Sequence, residues 1–211
     1  MFARRLNQIV RIGATFPVII FVSCSKSPKL TNIPPQNNRI CCFGDSLVYG
    51  VGASTLDESY PRVLEEIIGT SVDSWGTPGD TTEQALAKCE SFKDEKFGVV
   101  VVTIGGNDII KRVRWEKTQH NLKGIFKKIQ ETGAVVVFTG VTGPLNPTRN
   151  KHYKKICKGE GVLFIPEILD GILSDPALKA DEVHPNSDGY RIMAQRVADA
   201  IRNAGLLANL K

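Results

Sequence analysis

A serine directly after a glycine and an acid, Gly44-Asp45-Ser46, closes the apolar run of residues 40–43. Gly, Asp and Ser are ordinary turn residues, so a plain turn is one reading. A hydroxyl held at the carboxyl end of a strand as a nucleophile is the other. A serine hydroxyl is a weak nucleophile and needs a base within hydrogen-bond reach. Of the three histidines, His120 and His152 read as solvated helix residues. His184 has an acid, Asp181, close before it in the loop-like stretch "ADEVHPN". The oxyanion that forms during acyl transfer needs preorganised donors, and glycine lets a backbone N–H come close to a substrate. Candidate donors are the Ser46 N–H, the Gly79 N–H in "GTPGDTT" and the Asn107 side-chain amide in "TIGGNDII". Taken singly, each cluster also fits a turn, a helix cap or a local salt bridge. The order Ser…Asp…His is that of α/β-hydrolases, but no G-x-S-x-G elbow occurs.

These clusters can meet only if the elements carrying them share an edge. From residue 39, strand-like and helix-like segments alternate. "RICCFG", "SVDSWG", "FGVVVVTIG", "AVVVFTG" and "VLFIPE" read as five strands. Between them lie amphipathic segments: "DESYPRVLEEIIG" stopping at Gly69, "TTEQALAKCESF" capped by Thr81 or Thr82, and "WEKTQHNLKGIFKKIQETG" ending at Gly133. A basic helix "NKHYKKICKGEG" follows, and a closing helix with Ser187 as cap and Gly205 as stop. Alternation of this kind predicts a parallel sheet with helices on both faces. Ligands of such sheets bind outside the carboxyl ends of the strands. Three of the four clusters follow strands directly, and the fourth precedes the last helix, so all four can reach one edge.

With 211 residues, 42% apolar and 23% charged, the chain suits a single soluble domain. Net charge is +5, and three arginines in residues 1–23 supply much of it. The remainder, 24 basic against 22 acidic, does not point to nucleic acid. Residues 1–23 have a basic start and a short apolar core, the pattern of a signal peptide. Phe21-Val22-Ser23-Cys24 resembles a bacterial lipobox, with cleavage before Cys24 and lipid on its sulfur; an ordinary secretory signal or uncleaved anchor is the other reading. Residues 24–38 then read as a polar tether, and residues 39–211 as the folded domain. The expected location is the bacterial cell envelope, facing the periplasm or exterior, with the membrane reached through the lipid. Cys41 and Cys42, adjacent in a strand, are expected to face opposite ways. With Cys89 and Cys157 they read as small buried thiols, one pair of which could form a disulfide in an oxidising compartment. No cysteine–histidine cluster has zinc spacing.

Together, "FGDSL", "GTPGDTT", "GGND" and "DEVHPN" resemble the four blocks of the SGNH, or GDSL, hydrolases over about residues 39–205. Ser46, Gly79, Asn107 and His184 match the residues of the family's name, and Asp181 its acid. Within the family the pattern is most similar to the bacterial thioesterase I, lysophospholipase and arylesterase group. The resemblance implies a flavodoxin-like three-layer α/β sandwich with a five-stranded parallel sheet. It also implies a serine esterase: Ser46 as nucleophile, His184 as base and then acid, Asp181 orienting the imidazole. Ser46 N–H, Gly79 N–H and Asn107 would form the oxyanion hole, with no metal or cofactor. The expected acyl wall is in "VTGPLNPTRNKHYKK", with Pro144 and Leu145 as its lining. Lys151, Lys154 and Lys155 could meet an anionic headgroup, but charged side chains are mostly exposed and a solvated helix face is the simpler reading.

The leading expectation is therefore a serine esterase hydrolysing carboxylic ester or thioester bonds of lysophospholipids, acyl esters or acyl thioesters. Alternatives are an O-acetylesterase acting on envelope or other polysaccharide, an acyltransferase, and a non-catalytic envelope lipoprotein. Aromatic content of 7% argues against a glycan groove, and the intact set of five residues argues against a non-catalytic module.

Overall fold

Short apolar runs rich in valine and bounded by turn residues suit strands covered on both faces. The structure, a computed structural model, describes residues 29–142 and 148–207. Its strands are β1 (Ile40–Gly44), β2 (Val72–Gly76), β3 (Val99–Ile104), β4 (Val135–Gly140) and β5 (Leu163–Ile165). They form one parallel sheet in the order β2-β1-β3-β4-β5. The helices are α1 (Ser46–Tyr49), α2 (Tyr60–Ile68), α3 (Thr82–Lys88), α4 (Gly106–Ile110), α5 (Trp115–Gln130), α6 (Arg149–Glu160) and α7 (Ser187–Asn203). Alternate strand residues feed two separate cores. Cys42, Val101 and Val137 join the core under α2 and α7, while Cys41, Val100 and Val136 join that under α3, α5 and α6. This is the expected three-layer sandwich.

The two adjacent cysteines do face opposite cores. Cys41, Cys42, Cys89 and Cys157 are all buried free thiols. Burial pushes the thiols of Cys42, Cys89 and Cys157 up to about 12, so they act as small apolar groups rather than as nucleophiles.

Three local expectations change. The closing helix is capped by Asn186, whose side chain accepts from the Gly189 N–H at 3.1 Å. Ser187 instead accepts from the Ser54 N–H at 3.0 Å and donates to Glu58 at 2.7 Å, tying the loop after α1 to α7. The helix after Thr81 stops at Lys88 and tightens into a 3-10 turn at Cys89–Phe92. The third change concerns the tether. Residues 1–23, Cys24 and the first part of the expected tether lie outside the described residues. From Thr31 onward the chain is already docked. The Thr31 N–H donates to the Gly161 carbonyl at 2.9 Å, and the Asn32 amide donates to the carbonyls of Gln130 and Ala134 at 2.8 and 2.9 Å. Free carbonyls at the end of α5 need donors, and a polar segment supplies one.

Candidate active site

Parallel pairing with Gly44 opposite both Gly76 and Thr103 aligns the strand ends, so the segments that follow them meet at one edge. Gly44 is required there: a Cβ at this position would lie 1.8 Å from the Thr103 carbonyl oxygen. The next residue, Asp45, is 2% exposed and caps α1 by accepting from the Leu47 N–H at 3.1 Å. Burial pushes its carboxyl up to about 7, and Asp80 and Asp108 add to the rise, against the Leu47 hydrogen bond. Capping by Asp45 places Ser46 at the first position of a four-residue helix, with its hydroxyl at the rim of the sheet.

His184 reaches Ser46 from the opposite end of the chain. Its loop closes on itself, with the Ala180 N–H on the His184 carbonyl at 2.9 Å and the Asn186 N–H on the Leu178 carbonyl at 3.0 Å. His184 Nε2 lies 3.0 Å from Ser46 Oγ, and its Nδ1 lies 2.7 Å from Asp181 Oδ2. Asp181 Oδ1 accepts from the N–H groups of Val183 and His184 at 2.8 and 2.9 Å. Burial acts to raise the Asp181 carboxyl, but these three donors outweigh it and hold the group below the ordinary carboxylate value. A carboxylate pinned by two backbone donors, bonded to Nδ1, leaves Nε2 to accept the serine proton.

The donor side is assembled from two loops. Gly79 has φ +83°, a left-handed conformation that glycine adopts without strain, and no atom crowds the place of a Cβ. The N–H groups of Ser46 and Gly79 have no acceptor among the described residues. The Asn107 amide donates one hydrogen to the Asp80 carbonyl at 2.9 Å, which orients the other. The loop is held by residues whose types alone suit a turn or a cap. Asp108, fully buried, accepts from the Thr82 N–H at 2.8 Å, the Thr82 hydroxyl at 2.6 Å and the Thr118 hydroxyl at 3.0 Å. Asn121 completes the cluster by donating to the Thr82 hydroxyl at 3.0 Å. Asp80, also buried, pairs with Lys88 at 2.5 Å. Lys111 donates to the Gly79 carbonyl at 2.9 Å. The alternation of polar residues at 80–82 and 107–108 was visible in sequence, but their mutual contact is not a local property.

Ser46, Gly79, Asn107 and His184 all line one pocket of 320 Å³. Its apolar wall comes from Ile109, Ile110, Val141, Leu169, Leu173 and Val183. The expected lining residues Pro144 and Leu145 lie outside the described residues. The signal that could have found part of the observed wall is Ile109-Ile110, an apolar pair directly after the Asn107 block. Ile110 remains 60% exposed at the mouth. A hydroxyl bonded to an imidazole, an imidazole bonded to a carboxylate and convergent donors beside an apolar pocket suit acyl transfer through an activated serine.

The comparisons with known proteins bear on the family and the fold. The chain is 26% identical over 175 residues to "Thioesterase 1/protease 1/lysophospholipase L1" of Escherichia coli K12, covering 78% of this chain and 84% of that one. It is 26% identical over 154 residues to "Esterase TesA" of Pseudomonas aeruginosa, covering 67% and 77% of the two chains. A crystal structure of TesA superposes with a TM-score of 0.73 at 22% identity, over 79% of this chain and 99% of that one, which concerns the fold. The model of the GDSL-like Lipase/Acylhydrolase family matches residues 42–192, a span that contains all four blocks. A chain matched over most of its length in this way, and folded as an SGNH hydrolase, belongs to the GDSL-like lipase/acylhydrolase family of enzymes.

Proposed function

We propose that this enzyme hydrolyses carboxylic esters or thioesters of apolar acyl chains, lysophospholipids among them, through an acyl-enzyme on Ser46. The observation that carries the reading is the unbroken line Ser46 Oγ–His184 Nε2 (3.0 Å) and His184 Nδ1–Asp181 (2.7 Å) opening into an apolar pocket. Ser46 Oγ attacks the acyl carbon as His184 Nε2 takes its proton. The carbonyl oxygen becomes an oxyanion facing the N–H groups of Ser46 and Gly79 and the second hydrogen of the Asn107 amide. Collapse breaks the bond to the leaving alcohol or thiol, which receives the proton from His184. Water, deprotonated by the same imidazole, attacks the acyl-enzyme, releases the carboxylic acid and restores the serine. Asp181 holds the imidazole tautomer and stabilises the imidazolium.

A 320 Å³ pocket lies at the small end of ligand sites, which run from about 300 to 1,000 Å³. Rates on p-nitrophenyl esters from acetyl to palmitoyl should therefore peak at medium chains, and Ser46→Ala should abolish them together with labelling by a serine-reactive fluorophosphonate. Activity confined to acetyl would replace this reading with O-acetyl removal. Residues 1–24 support secretion and lipid attachment at Cys24, hence action from an envelope membrane. Incorporation of labelled palmitate in cells, lost in Cys24→Ala, is the expected result.

A further inference from the structure

Charge is segregated along this chain. Residues 109–159 carry twelve Lys and Arg against two acids, Glu116 and Glu131. Residues 24–108 and 160–211 together carry twelve basic against twenty acidic. A block of +10 thus sits in a chain whose remainder from residue 24 onward is −8. An even distribution needs no explanation, but a polarity of this size makes one face attract anionic surfaces.

That face borders the pocket. In the parallel sheet, β3 and β4 end at the catalytic edge, and α5 and α6 begin near it. The first residues of the two helices meet, with the Arg149 guanidinium 4.9 Å above the Trp115 ring. The His152 ring lies 5.2 Å from the same indole. Lys123, Lys151 and Lys155 line an open groove between the helices with Trp115 and His152. The segment joining this groove to the pocket is Ile110-Lys111-Arg112-Val113-Arg114, and Ile110 belongs to the pocket wall. The acids bordering the groove are engaged: Glu116 lies 3.8 Å from Arg114 and Glu160 3.5 Å from Lys123. Arg112, Lys151, Lys154, Lys155 and Lys158 form no ion pair with another described residue. In α6 no acid occurs before Glu160.

We propose that this face, formed by residues 110–115 and the exposed side of α6, docks on an anionic lipid bilayer and so seats the mouth of the Ser46 pocket against the membrane. Its basic groups are spread over two helices and a loop rather than converging on one point, which suits a charged surface better than a single small anion. The indole of Trp115 and the exposed side chain of Ile110 lie among them, the mixture that favours a lipid headgroup boundary. A polynucleotide would match the charge but leave Ile110 without a partner. The surface does not depend on the proposed reaction, and docking would shorten the path of an acyl chain from bilayer to pocket.

The test uses the full chain and a charge-reversed variant, Arg112→Glu/Lys151→Glu/Lys155→Glu, both carrying Ser46→Ala for binding. Lys111 is left intact because it supports Gly79. Sedimentation with phosphatidylcholine vesicles is compared with vesicles containing phosphatidylglycerol. The parent should bind the anionic vesicles more tightly, and the variant should lose that increment by roughly tenfold or more, since each basic group near such a surface contributes several-fold. Raised salt should weaken the parent toward the variant. The amino-terminal segment is common to both chains and cancels. With Ser46 restored, kcat/KM on soluble p-nitrophenyl butyrate should agree within about twofold, while hydrolysis of an acyl ester embedded in the anionic vesicles should fall with binding. If the triple reversal fails to fold, Arg112→Gln/Lys151→Gln/Lys155→Gln should give a smaller loss of the same kind. Equal binding of parent and variant, indifference to phosphatidylglycerol, or tighter binding to a polynucleotide than to the vesicles at equal salt overturns the proposal. Vesicle binding without activity on any ester would leave the surface standing and refute the reaction instead.

Discussion

Removing the Asn107 side chain tests the donor side of the pocket most directly. Its amide has two hydrogens, one given to the Asp80 carbonyl at 2.9 Å, and the residue lines the same pocket as Ser46. Asn107→Ala therefore removes one of three proposed oxyanion donors together with one neutral hydrogen bond. Loss of a single side-chain donor of this kind costs about 3–4 kcal/mol in the transition state, or roughly 10²–10³ in kcat. The ground-state carbonyl is not yet at the oxyanion position, so KM should change by no more than a few-fold. The lost bond to Asp80 should lower stability by about 1–3 kcal/mol, because it leaves the carbonyl of a buried residue without this donor. Steady-state kinetics on a p-nitrophenyl ester, alongside urea unfolding of the same preparation, separates the three quantities. A kcat loss below about tenfold in a folded variant, or a loss confined to KM, would remove Asn107 from the oxyanion role.

Two further outcomes concern the buried acids. Asp108→Ala should destabilise the fold by about 3 kcal/mol or more, because it leaves the fully buried Thr82 N–H without its acceptor and removes two hydroxyl bonds. A shift below about 1 kcal/mol in urea unfolding would mean that the cluster does not hold the Gly79 loop. Asp45 concerns pH. Its folded pKa of about 7 lies above the unfolded value, so the folded state binds the extra proton between the two and stability falls as pH rises. From about pH 6 to 8 the expected loss is about 1.4 kcal/mol, absent in Asp45→Asn, and a parent profile as flat as that of the variant would refute the assignment.

The candidate nucleophile, base, acid and donor loops, and the five strands with their order in the chain, are properties of short stretches. Every strand but β2 declares itself by four or more apolar neighbours, and a candidate reactive residue by its type and what stands beside it. These were legible without a structure. So was the opposed facing of Cys41 and Cys42, which follows from the two-residue period of a strand. The helices α1 and α4 were not, because four or five residues are too few to display a period of 3.6. Their role is to carry Ser46 and Asn107 to the rim. The support under the proposed oxyanion donors was equally hidden: Asp108 and Thr82 are far apart in sequence, and only the parallel pairing of β1 with β2 and β3 brings them within 2.6 Å. The apolar wall joins α4 to Val141, Leu169 and Val183 from later loops, so no window of sequence contains it. The basic face combines a loop with two helices in the same way. Residue type sets which chemistry a chain can attempt, whereas the distance between residues remote in sequence is decided by the order of strands in the sheet and the helices laid across it.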